Sequence, residues 1–203
     1  MKNNVKQLVV MSLLVSLLLI FAFTPIGYLK VGIAEITFMC LPVIIGTITL
    51  GLVPGLVLSL IFAFTSLYQL LAAPFGLFGI IFSQFGLWPL ILVIFLPRLL
   101  IAVFTHLVSR AAKKAKPSVR YAAASVAGSL TNTVFVLGGT YLLYSSTLST
   151  FFAENMGVSA LAGLGFIVLT NGLAEAASAL LICTAVLLAL KKAMPSMFVG
   201  EGA

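Results

Sequence analysis

The sequence predicts an all-α membrane protein: about six transmembrane helices in one bundle, with both termini in the cytoplasm. Three observations predict it. Of the 203 residues, 62% are hydrophobic and only 7% are charged, with a mean hydropathy of +1.27; soluble domains are roughly one quarter charged. Apolar stretches close to the ~20 residues that cross a bilayer recur along the whole chain. The basic residues, finally, crowd into alternate connections, which is the asymmetry that orients membrane proteins. Residues 1–203 read as a single integral-membrane domain with no length left over for a soluble catalytic one.

The first span, about 7–24, follows Lys2 and Lys6 and ends at Thr24-Pro25-Ile26-Gly27. It is longer than a signal-peptide core and no small-x-small cleavage site follows, so it reads as a retained span. The second, about 35–51, contains Pro42, and the third, about 54–72, opens at Pro54-Gly55. The fourth covers about 87–109, the fifth about 119–144 and the sixth about 160–190, the last being long enough to tilt or project from the bilayer. An even number of spans puts both termini on one side. That side holds Lys2, Lys6, Arg110, Lys113, Lys114, Lys116, Arg120, Lys191 and Lys192, and the other holds only Lys30. The bias predicts a multi-pass cell-membrane protein with cytoplasmic N- and C-termini.

Three connections then face outward, at about 24–35, 72–86 and 144–159. The middle one is uncharged and rich in Phe and Gly, which suits a segment lying at the interface or folded over a cavity. Trp88 and Tyr144 fit an aromatic belt at that surface. Small residues recur at four-residue spacing, as Ser12/Ser16, Gly55/Ser59/Ala63 and Ala123/Ala127/Thr131. Such faces let helix backbones approach closely, within this chain or against another.

Chemistry concentrates at mid-depth. Arg98 lies in the middle of WPLILVIFLPRLLIAVF, where an ionised side chain costs about 2.5 kcal/mol or more. Asn132 lies halfway through the fifth span, and Asn171 and Glu175 lie near the middle of the sixth. Those last two are four apart and share a helix face. Facing hydrocarbon, these groups would be unsatisfied, so they turn into the bundle. Two readings stand at this point: an Arg98–Glu175 structural pair, or a polar site for a ligand.

Several classes are excluded by missing patterns. GxSxG, HExxH and GxxxxGK[ST] do not occur, so no catalytic residue is assigned and no nucleotide is expected on this chain. Cys40 and Cys183 lie in apolar runs without a CxxC or Cys/His cluster, and the single histidine, His106, lacks an obvious metal partner. No metal or cofactor is assigned. The net charge of +7 is explained by loop asymmetry rather than by nucleic acid.

The order FTPIGYLKVGIAEITF, PVIIGTITLGLVPGLVLSLIFAFTSL, PR in the fourth span, TNT in the fifth and NGLAE in the sixth resembles the S components of energy-coupling factor (ECF) vitamin transporters. It is most similar to the pantothenate-specific members, and the resemblance covers nearly the whole chain. It implies a subunit that captures a vitamin from outside, joins a transmembrane T component and two ATPase subunits, and topples in the membrane to release its substrate. On this resemblance Arg98 takes the pantothenate carboxylate, with Lys30 as a rival partner or an attractor. Asn132 and Asn171 read polar groups, Glu175 holds the guanidinium, and Tyr28 and Phe75 close over the ligand. The family commonly carries Ala-xxx-Ala in the first span for docking on the T component; here Ser12 and Ser16 stand at that spacing. Alternatives are an S component for pyridoxine, niacin or a hydroxymethylpyrimidine, and a stand-alone secondary transporter with Glu175 as its proton site. Lys30 paired with Glu35 is the structural alternative for that lysine.

Overall fold

The computed structural model describes residues 2–25, 27–31, 34–72, 76–85 and 88–198. Helix α1 is Lys2–Phe23, and a hairpin of β1 (Tyr28–Val31) and β2 (Ala34–Thr37) follows it. Then come α2 (Cys40–Leu50), α3 (Leu52–Ala72), α4 (Gly76–Phe85), α5 (Trp88–Ala111) and α6 (Pro117–Met156). The last helix, α7, is Ala160–Ala193; it contains two π-helical stretches, Val168–Gly172 and Ala179–Cys183. Five helices (α1, α3, α5, α6 and α7) are long and apolar enough to cross a membrane. The protein is a multi-pass all-α membrane bundle.

The expected second span, about 35–51, divides in two. Its start is strand β2, paired antiparallel with β1 so that Tyr28 faces Thr37 and Lys30 faces Glu35. Only Cys40–Leu50 is helical, and all 11 of its residues are buried. A helix that is hydrophobic all round belongs inside a protein; here that hydrophobicity answers neighbouring helices rather than lipid. Pro42 falls in the first turn of α2, where no backbone N–H is needed. Gly51, at φ 98°, reverses the chain into α3, a conformation other residues avoid.

Small residues bring the helices together. A Cβ on Gly55 would meet the Thr47 side chain, one on Gly46 would meet Leu58, and one on Gly128 would meet Thr105 and Ile44. Ser59 and Ala63 are fully buried. The Gly55/Ser59/Ala63 face thus packs within the chain. Ser12 and Ser16 do not: both are exposed on an outward face of α1 with Leu8 and Leu13.

Helix α6 does not stop near 144. It kinks at Tyr144 (φ −135°, ψ 34°) and runs on to Met156. Beyond the kink Leu148, Phe151 and Phe152 are buried in a cluster with Ile81 of α4 and Ala160 and Leu164 of α7. The Ser and Thr residues between them disguise this apolar stripe as a loop. Trp88 is exposed as an interface residue would be, but Tyr144 is buried, with its ring 5.2 Å from that of Phe85. The kink turns it into the bundle and out of the expected aromatic belt. The Phe- and Gly-rich middle connection holds α4, anchored by fully buried Ile81.

Two apolar clusters make up the core. One surrounds α2 and includes Ile101, Ala102, Ala124 and Ala179. The other includes Val93, Ile94, Val136 and Leu164. Along α5, α6 and α7, the polar residues Arg98, Asn132, Asn171 and Glu175 fall between the residues that feed one cluster and those that feed the other.

Candidate functional site

Helix α5 exposes its own acceptor to its own arginine. Pro97 has no N–H to give the Val93 carbonyl four residues back. Arg98 Nη1 donates to that Val93 oxygen at 3.2 Å. Its guanidinium carbon lies 5.3 Å from the centroid of the Phe62 ring on α3, within cation–π range. Arg98 Nε is buried without a hydrogen-bond partner among the described residues. A guanidinium carries five N–H donors in a fixed fork, and among the described residues the bond to Val93 engages one of them.

Helices α6 and α7 supply an acid and two amides. Glu175 is only 4% exposed. Its Oε1 accepts from the Thr37 N–H at 2.8 Å and its Oε2 from Thr133 Oγ1 at 3.4 Å. Asn132, beside Thr133 on α6, is buried, and its Oδ1 has no partner among the described residues. Asn171 is buried in the first π-helical stretch, and its Oδ1 accepts from Thr170 Oγ1 at 3.2 Å. Gly172 permits close contact there, since a Cβ would meet the Thr133 methyl. π-Helical turns recur at functional sites because they redirect side chains without ending the helix.

The Glu175 carboxylate bonds Thr37 and Thr133, not the Arg98 guanidinium. No ion pair joins acid and cation. The Tyr28 hydroxyl shares a hydrogen bond with Ser66 Oγ of α3 at 3.1 Å, one turn from the Phe62 ring that lies under the Arg98 guanidinium. Arg98 and Tyr28 thus meet α3 one turn apart, at Phe62 and Ser66, and the hairpin links them to Glu175, because Tyr28 opposes Thr37; Asn132 precedes Thr133, which bonds Glu175, and Asn171 is one turn from Glu175 on α7. Of Lys30 only the backbone is described, opposite Glu35 in the hairpin; Phe75 lies outside the described residues. Ser12 Oγ donates to the Leu8 carbonyl of its own helix at 2.9 Å, far from this centre in role and on the outer face with Ser16.

Four contributors carry no sequence-level assignment: Thr37, Phe62, Ser66 and Thr133. Thr133 had a signal, since it completes the TNT pattern beside Asn132. Thr37 acts through its backbone N–H, which any residue but proline could supply. Chemically, the region presents a cation with open donors, two buried amides and a tyrosine hydroxyl. That set suits a small anion carrying hydroxyl or amide groups.

A family model described as "ECF transporter, substrate-specific component" matches residues 6–187. The chain is also 34% identical over 167 residues to the pantothenic acid transporter PanT of Lactococcus lactis subsp. cremoris (strain MG1363), an alignment that covers 77% of this chain and 78% of that protein.

Proposed function

We infer the function from a premise: this chain belongs to the substrate-specific components of ECF transporters, a transporter family. We propose that its substrate is pantothenate, captured from outside, and that ATP hydrolysis on partner subunits drives import. The observation that carries the substrate reading is the buried Arg98 Nε, which has no hydrogen-bond partner among the described residues, as the buried Asn132 Oδ1 also has none. Pantothenate is a carboxylate with hydroxyls and one amide. Arg98 binds the carboxylate, Asn132 and Asn171 read the polar groups, and Tyr28 and Phe75 cover the ligand, with Glu175 bordering them and Lys30 drawing the anion in. The name of the similar transporter supports the same substrate.

The partners in this reading are a transmembrane T component, which docks on the Ser12/Ser16 face, and two ATPase subunits. Mass spectrometry of small molecules released from the purified, denatured chain tests the substrate: pantothenate is expected, and a different vitamin in its place overturns the assignment. In liposomes the chain alone should bind without accumulating, and adding the T component and ATPases should make uptake depend on ATP. ATP-independent accumulation by the chain alone would instead select the secondary-transporter reading.

Orientation belongs to the same proposal. With β2 and α2 together counted as one crossing beside the five long helices, nine basic residues lie on one side against one on the other, which puts both termini and residues 110–120 in the cytoplasm. A cysteine placed at position 115 should react with an impermeant maleimide only after cells are opened. Labelling in intact cells would reverse the topology. The two native thiols, Cys40 and Cys183, are both buried and give little background.

A further inference from the structure

We propose that Glu175 is a positioning residue: it pins the base of the β1–β2 hairpin through the Thr37 N–H, and so places Tyr28 beside Arg98. The inference rests on the binding reading above, which makes Arg98 the carboxylate receptor.

The argument starts from what a buried carboxylate requires. Taken out of water, it must find donors inside the protein. Glu175 does not take the guanidinium. One oxygen accepts a backbone N–H from a strand 138 residues away in sequence, at 2.8 Å, and the other accepts the Thr133 hydroxyl at 3.4 Å. A bond from N–H to an ionised acceptor is among the stronger hydrogen bonds in proteins. It lands where the hairpin meets α2. Thr37 Oγ1 donates to the Gly27 carbonyl at 3.3 Å and accepts from the Met39 N–H at 3.2 Å, and Phe38 N–H bonds Gly27 O at 3.1 Å. Gly27 itself is wedged against the Phe21 backbone, which a Cβ would strike. The hairpin base is therefore held on α1 by Gly27 and on α7 by Glu175.

Register converts this pin into an effect on the site. Tyr28 is the cross-strand partner of Thr37, and directly opposed residues in an antiparallel pair are only about 5 Å apart. Fixing Thr37 on α7 fixes Tyr28. Its hydroxyl then reaches Ser66 on α3, one turn from Phe62, the ring over which the Arg98 guanidinium lies. The hairpin thus spans from α3 to α7 across the face of the bundle that holds Arg98. Glu175 touches the hairpin, not the cation, and acts on ligand through Tyr28.

Two measurements test this. Hydrogen exchange on the ligand-free protein addresses the pin alone. The Thr37 amide, at a strand end, should exchange slowly in the native chain, and at least tenfold faster in Glu175→Ala, with a smaller increase in Glu175→Gln, which keeps one neutral acceptor. An amide that exchanges freely in the native chain, or equally in native and both variants, overturns the proposal. The second measurement follows pantothenate dissociation. Glu175→Gln should release pantothenate about tenfold faster, and that effect should vanish when Tyr28→Ala is already present. If the loss persists undiminished in the Tyr28→Ala background, Glu175 contacts the ligand itself and the positioning role is wrong. If the native chain does not bind pantothenate at all, the substrate reading fails, while the exchange result still decides the pin.

Discussion

Arg98→Gln should fold and insert normally yet lose pantothenate binding by roughly 10- to 100-fold. The magnitude follows from the bond removed. A hydrogen bond to a charged group contributes about 1.5–3 kcal/mol, and each 1.4 kcal/mol is about a factor of ten in affinity. Glutamine is chosen over alanine for a structural reason. Arg98 Nη1 satisfies the Val93 carbonyl that Pro97 leaves open, and alanine would orphan that oxygen and confuse lost binding with lost stability. A glutamine amide keeps a donor on the side chain while removing the charge and the fork. Arg98→Lys separates the remaining terms: it keeps the charge but presents a point cation instead of a planar pair of donors, so it should fall between the two. Titration calorimetry of the purified variants in detergent measures all three. Native affinity in Arg98→Gln would make the midplane cluster structural and would move the carboxylate to Lys30.

Much of this centre is legible in the sequence, and the reason is energetic. A charge or amide at bilayer depth is too costly to face lipid. The depth of Arg98, Asn132, Asn171 and Glu175 therefore implies their convergence. What could not be read is who bonds to whom. Glu175 pairs with a backbone N–H of Thr37, and backbone donors leave no mark in residue type. The same blindness explains the split second span. The eleven residues of α2, mostly apolar and all buried, look like the core of a membrane span because lipid and protein interior ask for the same side chains. The extension of α6 past Tyr144 was hidden differently: Ser145, Ser146, Thr147, Ser149 and Thr150 read as a loop until Leu148, Phe151 and Phe152 are seen to share one buried face.

Ser12→Leu combined with Ser16→Leu should abolish ATP-driven uptake while leaving pantothenate binding within about twofold, a difference of roughly 0.4 kcal/mol. The separation follows from where these residues lie. Both are exposed on α1, whose membrane-spanning stretch is only 22% buried, whereas Arg98, Asn132 and Glu175 lie inside the bundle. The buried side of α1 is made by Val10, Leu14, Leu18 and Ala22, which keep it packed on α2 and α3 whatever stands at 12 and 16. Leucine in these two outward positions faces lipid at little cost, since hydrocarbon solvates it well. It does, however, hold a neighbouring helix away from a face that small residues leave open to close backbone approach. Binding by the isolated variant and uptake in liposomes holding the T component and ATPases would be measured side by side. Full uptake by the double variant would place the docking surface elsewhere on the chain. Loss of binding together with uptake would instead mean that α1 supports the site, through the contact its last turns make with the hairpin base at Gly27 and Phe21.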